Sequence, residues 1–276
     1  MGKRFQASCI VVSLLDYLPP ELSFVEAWFE NWFGTRYYHL LYSHRNETEA
    51  QYFLNAILDA FPLNSDAHIL DAACGKGRHS HYLARRGFSV DGFDLSDNNI
   101  EEARKLAPHG ARFFVHDLRK AFASNTYDLV LNLFTSFGYF DHWDDNLRTL
   151  VHFDEALKPG GVAIIDFMNV QRVRQHLVPQ EHLIRDDVEF FVQRRYEPPF
   201  IVKHIQVNDQ GQCYHFRERV QALERGDFET MLSATAFDVV QLYGDYRLRP
   251  FDPGRSPRLI LALQKRAALH ALHHRL

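Results

Sequence analysis

The sequence predicts an α/β fold in which helices cover both faces of a mostly parallel sheet. Three observations lead to this prediction. Short apolar strands alternate with helices from residue 68 to residue 167, a pattern typical of parallel sheets. A glycine-containing turn, CGKG at residues 74–77, follows the first of these strands. Three more strand patterns then occur between residues 188 and 223 with no helix between them, which predicts an antiparallel insertion.

The first sixty residues are predicted to be helical. Residues 21–33 carry aromatic and aliphatic side chains at helical spacing. Asn46 followed by Glu49 resembles a capping box, and the helix that it opens is expected to run to Phe61, just before Pro62. We therefore assign residues 1–62 to an N-terminal helical cap.

The central region supplies the predicted parallel strands at residues 69–73, 88–93, 112–116, 127–133 and 162–167. The helix after the glycine turn is expected to end at Gly87, which can adopt a left-handed conformation. Ser96 and Asp141 can each cap a following helix. Asp141 also precedes His142, a general-base candidate near the expected active-site rim, and we favour the cap.

The last third predicts strands at residues 188–196, 200–207 and 213–223, a helix at 227–236, and strands at 239–246 and 258–264. We assign residues 63–171 and 224–266 to the core and residues 172–223 to a lid over the strand ends, with an oligomerisation arm as the alternative. The lid residues that could line a pocket are Arg194, Arg195, Tyr196 and His204.

Charge and composition narrow the function classes. The formal charge is −4, whereas proteins that grip many phosphates usually carry a basic surplus, so nucleic acid is not the expected substrate. No stretch is apolar enough to span a bilayer, so we expect no membrane partner. Cys9, Cys74 and Cys213 are scattered, which favours a reducing compartment and hence the cytoplasm. The oligomeric state stays open, with a homodimer as one alternative.

Acidic residues flank the glycine turn at the carboxyl ends of two strands, where ligands bind in open α/β sheets. Asp71 precedes the turn, and Asp94 ends the next strand. A dinucleotide would place its pyrophosphate near Asp71, with a repulsion of several kcal/mol in a partly buried site. S-adenosyl-L-methionine carries a sulfonium and an ammonium instead, and the third glycine of the dinucleotide fingerprint is Ser80 here. The residues favour S-adenosylmethionine, and a nicotinamide-dependent oxidoreductase is the alternative.

Residues 69–170 resemble the core of class I S-adenosylmethionine-dependent methyltransferases, with motifs in the family's order. These motifs are DAACGKG at 71–77, VDGFDLS at 90–96, HDL at 116–118 and LKPGG at 157–161. The resemblance implies a Rossmann-like, doubly wound sheet of seven strands whose last strand is antiparallel. The first usual glycine of the loop is Ala73 in this sequence.

The resemblance also implies roles for individual residues. The loop residues Asp71, Ala73, Gly75 and Gly77 would hold the methionine end of the cofactor. Asp94 would bind the ribose hydroxyls, Leu95 would lie against adenine, and Asp117 would accept from the adenine amino group. The adjacent Leu118 and the strand-four residue Leu133 complete the expected site. Tyr42, Arg45 or Arg78 would approach the cofactor carboxylate, although each arginine suits a solvated helix face equally well.

Looser similarities extend to amino-sugar N,N-dimethyltransferases. They cover LFTSFGYF at residues 133–140, YYHLLY at residues 37–42 and the strand-rich insertion, and they imply a small-molecule acceptor. Because no compelling base or thiolate is found, a nitrogen acceptor is slightly favoured over oxygen and the catalytic residues stay unassigned. The histidines at 79, 81, 273 and 274 lack further ligands nearby, so we expect no metal. A non-catalytic S-adenosylmethionine-binding protein is the remaining alternative.

Overall fold

The computed structural model describes residues 30–43 and 47–267. Its first part consists of α1 Glu30–Phe33, α2 Arg36–Leu41, α3 Glu47–Ala60, β1 His68–Ala72, α4 Arg78–Arg85, β2 Ser89–Asp94, α5 Asp97–Lys105, β3 Ala111–Val115, β4 Tyr127–Asn132, α6 Trp143–Ala156 and β5 Leu157–Met168. The second part consists of α7 Val170–Gln175, β6 Gln180–Arg185, β7 Val188–Glu197, β8 Phe200–Asp209, β9 Gln212–Gln221, α8 Arg225–Leu232, β10 Phe237–Tyr243 and β11 Arg258–Lys265. Most of the predicted helix at 21–33, the cap residue Asn46 and the C-terminal histidines lie outside the described residues.

The main sheet has seven strands in the order β10-β11-β5-β4-β1-β2-β3. Strands β1 to β5 pair in parallel, whereas β11 is antiparallel to both β5 and β10. The predicted seven-stranded mixed sheet is therefore confirmed. Because β1 lies between β2 and β4, the strand order reverses there, and a crevice opens at the carboxyl ends of these strands.

Burial on both faces explains why the central strands are nearly continuous apolar runs. Residues 162–167 of β5 are all buried, and so are residues 129–132 of β4. Helix α3 places Phe53, Leu54 and Ile57 in the cluster that covers one face of the sheet. Within residues 30–43 and 47–267, no helix is both long and apolar enough to cross a lipid bilayer.

The insertion forms a separate antiparallel sheet of four strands in the order β6-β7-β8-β9. Strands β7, β8 and β9 confirm the three predicted strands. Strand β6 was not predicted, because its sequence QEHLIR is mostly polar and half exposed. Trp32, Tyr37 and Leu41 of the first two helices pack on the apolar face of this sheet. Helices α1 and α2 thus pack on the insertion, whereas α3 packs on the core. The domain boundaries at residues 62 and 172 stay predictions.

Helix caps follow the sequence at one position and differ at another. Ser96 caps α5, because its side chain accepts from the N–H of Asn99. Asp141 was predicted to cap α6, and this was wrong: the N-cap is His142, and its side chain makes no capping hydrogen bond. The Asp141 carboxylate instead accepts from Nη1 of Arg219 in β9, at 2.6 Å. The ion pair with the insertion directs the carboxylate away from the helix.

Candidate functional site

The turn after β1 presents its backbone to open space. Three residues of this turn have positive φ: Ala73 at 63°, Gly75 at 55° and Gly77 at 77°, values that favour glycine. A Cβ on Gly77 would lie 2.8 Å from the ring of Phe113, whereas a Cβ on Gly75 would meet no atom within 4 Å. Gly77 is therefore needed for packing, and Gly75 leaves room for a ligand.

Asp71 is buried behind this turn. Its carboxylate accepts from the Ser80 hydroxyl at 2.6 Å and is 1% exposed. Burial raises its pKa to about 6, against the opposing effect of the Ser80 hydrogen bonds. This hydrogen bond joins the end of β1 to the first turn of α4 and so stabilises the glycine turn between them. Its predicted role at the methionine end of the cofactor stays a prediction.

Asp94, at the end of β2, joins the turn to the next helix. Its Oδ2 accepts from the N–H of Gly75 at 2.9 Å, and its Oδ1 accepts from the N–H of Ser96 at 2.9 Å. Asn99 Nδ2 lies 3.4 Å from Oδ1. Burial raises the pKa of Asp94, opposed by these hydrogen bonds. Since a carboxylate offers about four lone-pair positions, two ribose hydroxyls can bind if the long Asn99 contact yields.

A cavity that is partly open to solvent lies against this turn. Six residues predicted for the cofactor line it: Ala73, Gly75, Asp94, Leu95, Asp117 and Leu118. Asp117 accepts from Nη2 of Arg119 at 2.7 Å. Burial acts to raise the pKa of Asp117, but the hydrogen bonds and charge of Arg119 hold it below its ordinary value. An ionised carboxylate thus faces the cavity as a hydrogen-bond acceptor.

Several residues of the cavity wall had no individual assignment from the sequence. Phe33, Tyr38 and His39 from the first two helices line it, and so does Asn99, whose Oδ1 lies 3.3 Å from Nε2 of His39. The segment after β4 adds Phe134, Thr135, Ser136, Tyr139 and Phe140. Both chain segments were recognised as resemblances, but nothing in their spacing shows which side chains face a ligand. Asn99 carries no signal beyond its place in the helix that Ser96 caps.

The other predicted residues lie away from the described wall of this cavity. Leu133 is buried in the core beneath it. The Arg78 guanidinium lies 4.6 Å from the ring centroid of Phe134, and Gly77 is the N-cap of α4. Tyr42 faces the neighbouring cavity, and Arg45 falls outside the described residues. The predicted cofactor contacts of these five residues stay predictions.

A second cavity, also partly open to solvent, lies between the main sheet and the insertion. It shares Tyr38, Thr135 and Tyr139 with the first cavity. The remaining described wall comes mostly from the insertion and the core edge: Tyr42, Met168, Val173, Leu177, Arg194, Ile201, Lys203, Glu218, Val220 and Arg258. The two cavities are therefore neighbours with a common wall.

A cluster of polar groups holds one side of the second cavity. Arg194, Lys203 and Glu218 occupy paired positions on three adjacent strands, so their side chains share one face of a sheet that is otherwise apolar there. The Glu218 carboxylate accepts from Nζ of Lys203 at 2.6 Å, from the Tyr42 hydroxyl at 2.7 Å and from Nε1 of Trp32 at 2.7 Å. Burial acts to raise the pKa of Glu218, but these partners hold it below its ordinary value. The cluster attaches the N-terminal helices to the insertion.

The histidines of α4 have structural partners. Nε2 of His81 lies 2.9 Å from the carbonyl oxygen of Ala103, and the ring of His79 stacks on Phe134 at 5.2 Å. Burial lowers the pKa of His79 to about 3, so this ring is neutral at physiological pH. Across the part of the chain that the structure describes, no group of three or more His, Cys, Asp or Glu residues could hold a metal ion.

Residues 69–161 match the family model of a methyltransferase domain. Over 98 residues the chain is 30% identical to the dTDP-3-amino-3,4,6-trideoxy-alpha-D-glucopyranose N,N-dimethyltransferase of Streptomyces venezuelae, a match that covers 36% of this chain and 41% of that protein. It is 25% identical over 242 residues to the glycine/sarcosine N-methyltransferase of Aphanothece halophytica, covering 81% of this chain and 82% of that enzyme. The match with the dimethyltransferase thus spans less than half of that protein.

Solved structures show the same fold. An S-adenosylmethionine-dependent methyltransferase from Clostridium acetobutylicum superposes with a TM-score of 0.72 at 18% identity, covering 84% of this chain and 96% of that one. Residues 69–161 are therefore similar to a methyltransferase domain, and the chain shares the fold of an S-adenosylmethionine-dependent methyltransferase. The chain is also similar to amino-sugar N,N-dimethyltransferases, which confirms the resemblance that its sequence predicts.

Proposed function

We propose that the protein transfers a methyl group from S-adenosylmethionine to a small molecule bound in the second cavity. The observation that carries this proposal is the common wall of Tyr38, Thr135 and Tyr139, since methyl transfer requires donor and acceptor to face each other in line. When bound, S-adenosylmethionine supplies an electrophilic methyl group on its sulfonium. The chain aligns the two reactants and, with its N-terminal helices and insertion, keeps water away.

The first cavity fits the cofactor by its chemistry. The Asp94 carboxylate suits ribose hydroxyls, the apolar side chains of Leu95 and Leu118 suit an adenine ring, and Asp117 suits its amino group. A dinucleotide fits less well, because the third glycine of its fingerprint is replaced by Ser80, whose hydroxyl is already bound to Asp71.

The insertion supports the lid interpretation, because it supplies much of the second cavity. Of the lid residues singled out from the sequence, Arg194 lines this cavity. Strand alternation places Arg195 and His204 on the opposite face of the sheet, so their predicted place in the pocket was wrong. Tyr196 packs under the guanidinium of Arg174, at 4.4 Å. The oligomerisation arm stays the alternative, and a homodimer stays a prediction.

A nitrogen acceptor is favoured slightly over oxygen. An amine needs only to arrive neutral, whereas a hydroxyl needs a base, and the carboxylates of the two cavity walls, Asp94, Asp117 and Glu218, are already hydrogen-bonded to the chain. Relatives named as N-methyltransferases, which act on amino sugars and on glycine or sarcosine, support this choice. We place the protein in the cytoplasm and keep nucleic acid outside its substrates.

The test is a transfer assay with S-adenosylmethionine labelled on its methyl group. The acceptors to supply are glycine, sarcosine, nucleotide-linked amino sugars and matched sugars that carry hydroxyl in place of the amine. We expect label in an amine acceptor and binding of S-adenosylhomocysteine by calorimetry. Binding of NADH without binding of S-adenosylhomocysteine would favour the oxidoreductase. Cofactor binding with no transfer to any acceptor in the panel would favour the non-catalytic alternative.

A further inference from the structure

The chain turns sharply after β4 in a conformation that its residues rarely adopt. Phe134 and Thr135 are consecutive, and both have positive φ, 59° and 60°. A bulky or β-branched residue in this region is a genuine outlier, and such backbone persists only where its surroundings hold it. Phe134 lines the first cavity, and Thr135 lines both cavities. The strained turn is therefore part of the wall between cofactor and acceptor.

One buried acid, Asp166 near the carboxyl end of β5, holds this turn. Its Oδ2 accepts from the N–H of Phe134 at 2.8 Å, and its carbonyl oxygen accepts from the N–H of Thr135 at 2.9 Å. Its Oδ1 accepts from Nε of Arg258 at 2.7 Å. Nη2 of Arg258 in turn donates to the Thr135 hydroxyl at 2.7 Å. The backbone and the side chain of the turn are thus fixed from one point.

We infer that Asp166 and Arg258 are positioning residues that shape the wall between the methyl donor and the acceptor by holding this turn. The inference rests on the proposed function, because it takes the two cavities as the donor and acceptor sites. Asp166 is fully buried in a run of apolar residues, where a charge is costly unless it is paired and hydrogen-bonded. If Asp166 served only to join β5 to β11, both of its carboxylate oxygens could accept from the guanidinium. Instead, one accepts from the guanidinium and the other from the turn.

A second buried acid in the same sheet shows what a purely structural pair looks like. Asp91 in β2 accepts from Nε and Nη2 of Arg112 at 2.8 and 2.9 Å, and from the Tyr127 hydroxyl at 2.8 Å. It lies in the strand, contacts no strained turn and lines neither cavity. Asp91→Asn is therefore the control for losing the pair between a buried aspartate and an arginine, with the difference that the Arg112 side chain is 65% exposed and that of Arg258 is 19% exposed.

The test compares Asp166→Asn, Thr135→Val and Asp91→Asn. Hydrogen exchange of residues 133–139 is measured without ligand, S-adenosylhomocysteine affinity by calorimetry, and Tm by thermal unfolding. We expect Asp166→Asn to speed exchange in this segment and to weaken S-adenosylhomocysteine by about tenfold. Thr135→Val removes the hydrogen bond with Arg258, nearly keeps the shape of the side chain in the cavity walls, and should show the same effects more weakly. Asp91→Asn should lower Tm yet leave exchange in the segment and affinity within about twofold of wild type.

Wild-type exchange and affinity in Asp166→Asn would overturn the inference and leave the proposed function intact. Equal losses in Asp91→Asn at matched Tm would also overturn it, since affinity would then follow stability alone. If Asp166→Asn does not fold, Thr135→Val decides the question by the same two readouts. If wild type itself fails to bind S-adenosylhomocysteine, the proposed function is wrong. Hydrogen exchange without ligand then still tests whether Asp166 and Arg258 hold the turn.

Discussion

The substitution Gly75→Ala separates the cost of a left-handed turn from the cost of filling the first cavity. Gly75 has a φ of 55°, and a Cβ there would meet no protein atom within 4 Å. Its cost in folding free energy is therefore that of the left-handed backbone alone, about 1–2 kcal/mol. The substitution keeps the N–H that donates to Asp94. In contrast, the added methyl group enters the space where a ligand would lie against the turn.

Gly160→Ala is the matched control, because Gly160 has a φ of 82° and equally open space around its Cβ, yet lies outside the described cavity walls. We expect both variants to lose similar stability in urea unfolding. Only Gly75→Ala should weaken S-adenosylhomocysteine in calorimetry, by at least about 1.4 kcal/mol, or tenfold in Kd. Wild-type affinity in Gly75→Ala would refute the placement of the cofactor against this turn.

Three further results are expected. Asp94→Asn should weaken S-adenosylhomocysteine by roughly 1–3 kcal/mol, since a charged hydrogen-bond partner is lost, and should weaken a 2′,3′-dideoxy analogue less; equal losses in calorimetry would place Asp94 elsewhere. Burial raises the pKa of Asp71 from 3.8 to about 6, so its protonated form stabilises the fold below pH 3.8 and this contribution is lost as pH rises through about 6. Between pH 3.8 and about 6 the free energy of unfolding of Asp71→Asn should therefore rise relative to that of wild type by up to about 3 kcal/mol. A difference between the two proteins in urea unfolding that does not change with pH would contradict this. Lys203→Met should lower the free energy of unfolding by about 3–5 kcal/mol in urea unfolding, because it leaves the Glu218 charge buried and without its ion-pair partner. Adding Glu218→Gln should restore much of that stability. A double variant no more stable than Lys203→Met would argue against the charge pair.

The local sequence pattern predicted the main elements of the fold. It gave no prediction or a wrong one where contacts between distant residues determine the structure. The alternation of strands and helices between residues 68 and 167 predicts the parallel sheet, because burial on both faces leaves apolar runs in the sequence. Strand β6 has no such run, since it lies at the edge of the insertion and is half exposed. Asp141 has the ordinary signal of a helix cap, and only the approach of Arg219 from β9 turns it away.

The same distinction applies to the candidate site. Asp94 was predicted because it ends a strand, and Asp117 because its motif resembles one of the family; the sheet brings the two acids to one cavity. Asp166 gave no signal, since its partners Phe134 and Arg258 are 32 and 92 residues away. Tyr42 was assigned to the cofactor carboxylate by resemblance, but its hydroxyl binds Glu218, an acid whose partners can be found only from the register of the insertion.

The two cavities also differ in which part of the chain forms them. Apart from Phe33, Tyr38 and His39, every described residue of the first cavity lies within the matched domain, residues 69–161. Apart from Tyr38, Tyr42, Thr135 and Tyr139, every described residue of the second lies after it. Relatives that share the domain are named for acceptors as different as glycine or sarcosine and amino sugars. Similarity in the domain therefore supports the proposed methyl donor, whereas the proposed acceptor has to be determined from the insertion.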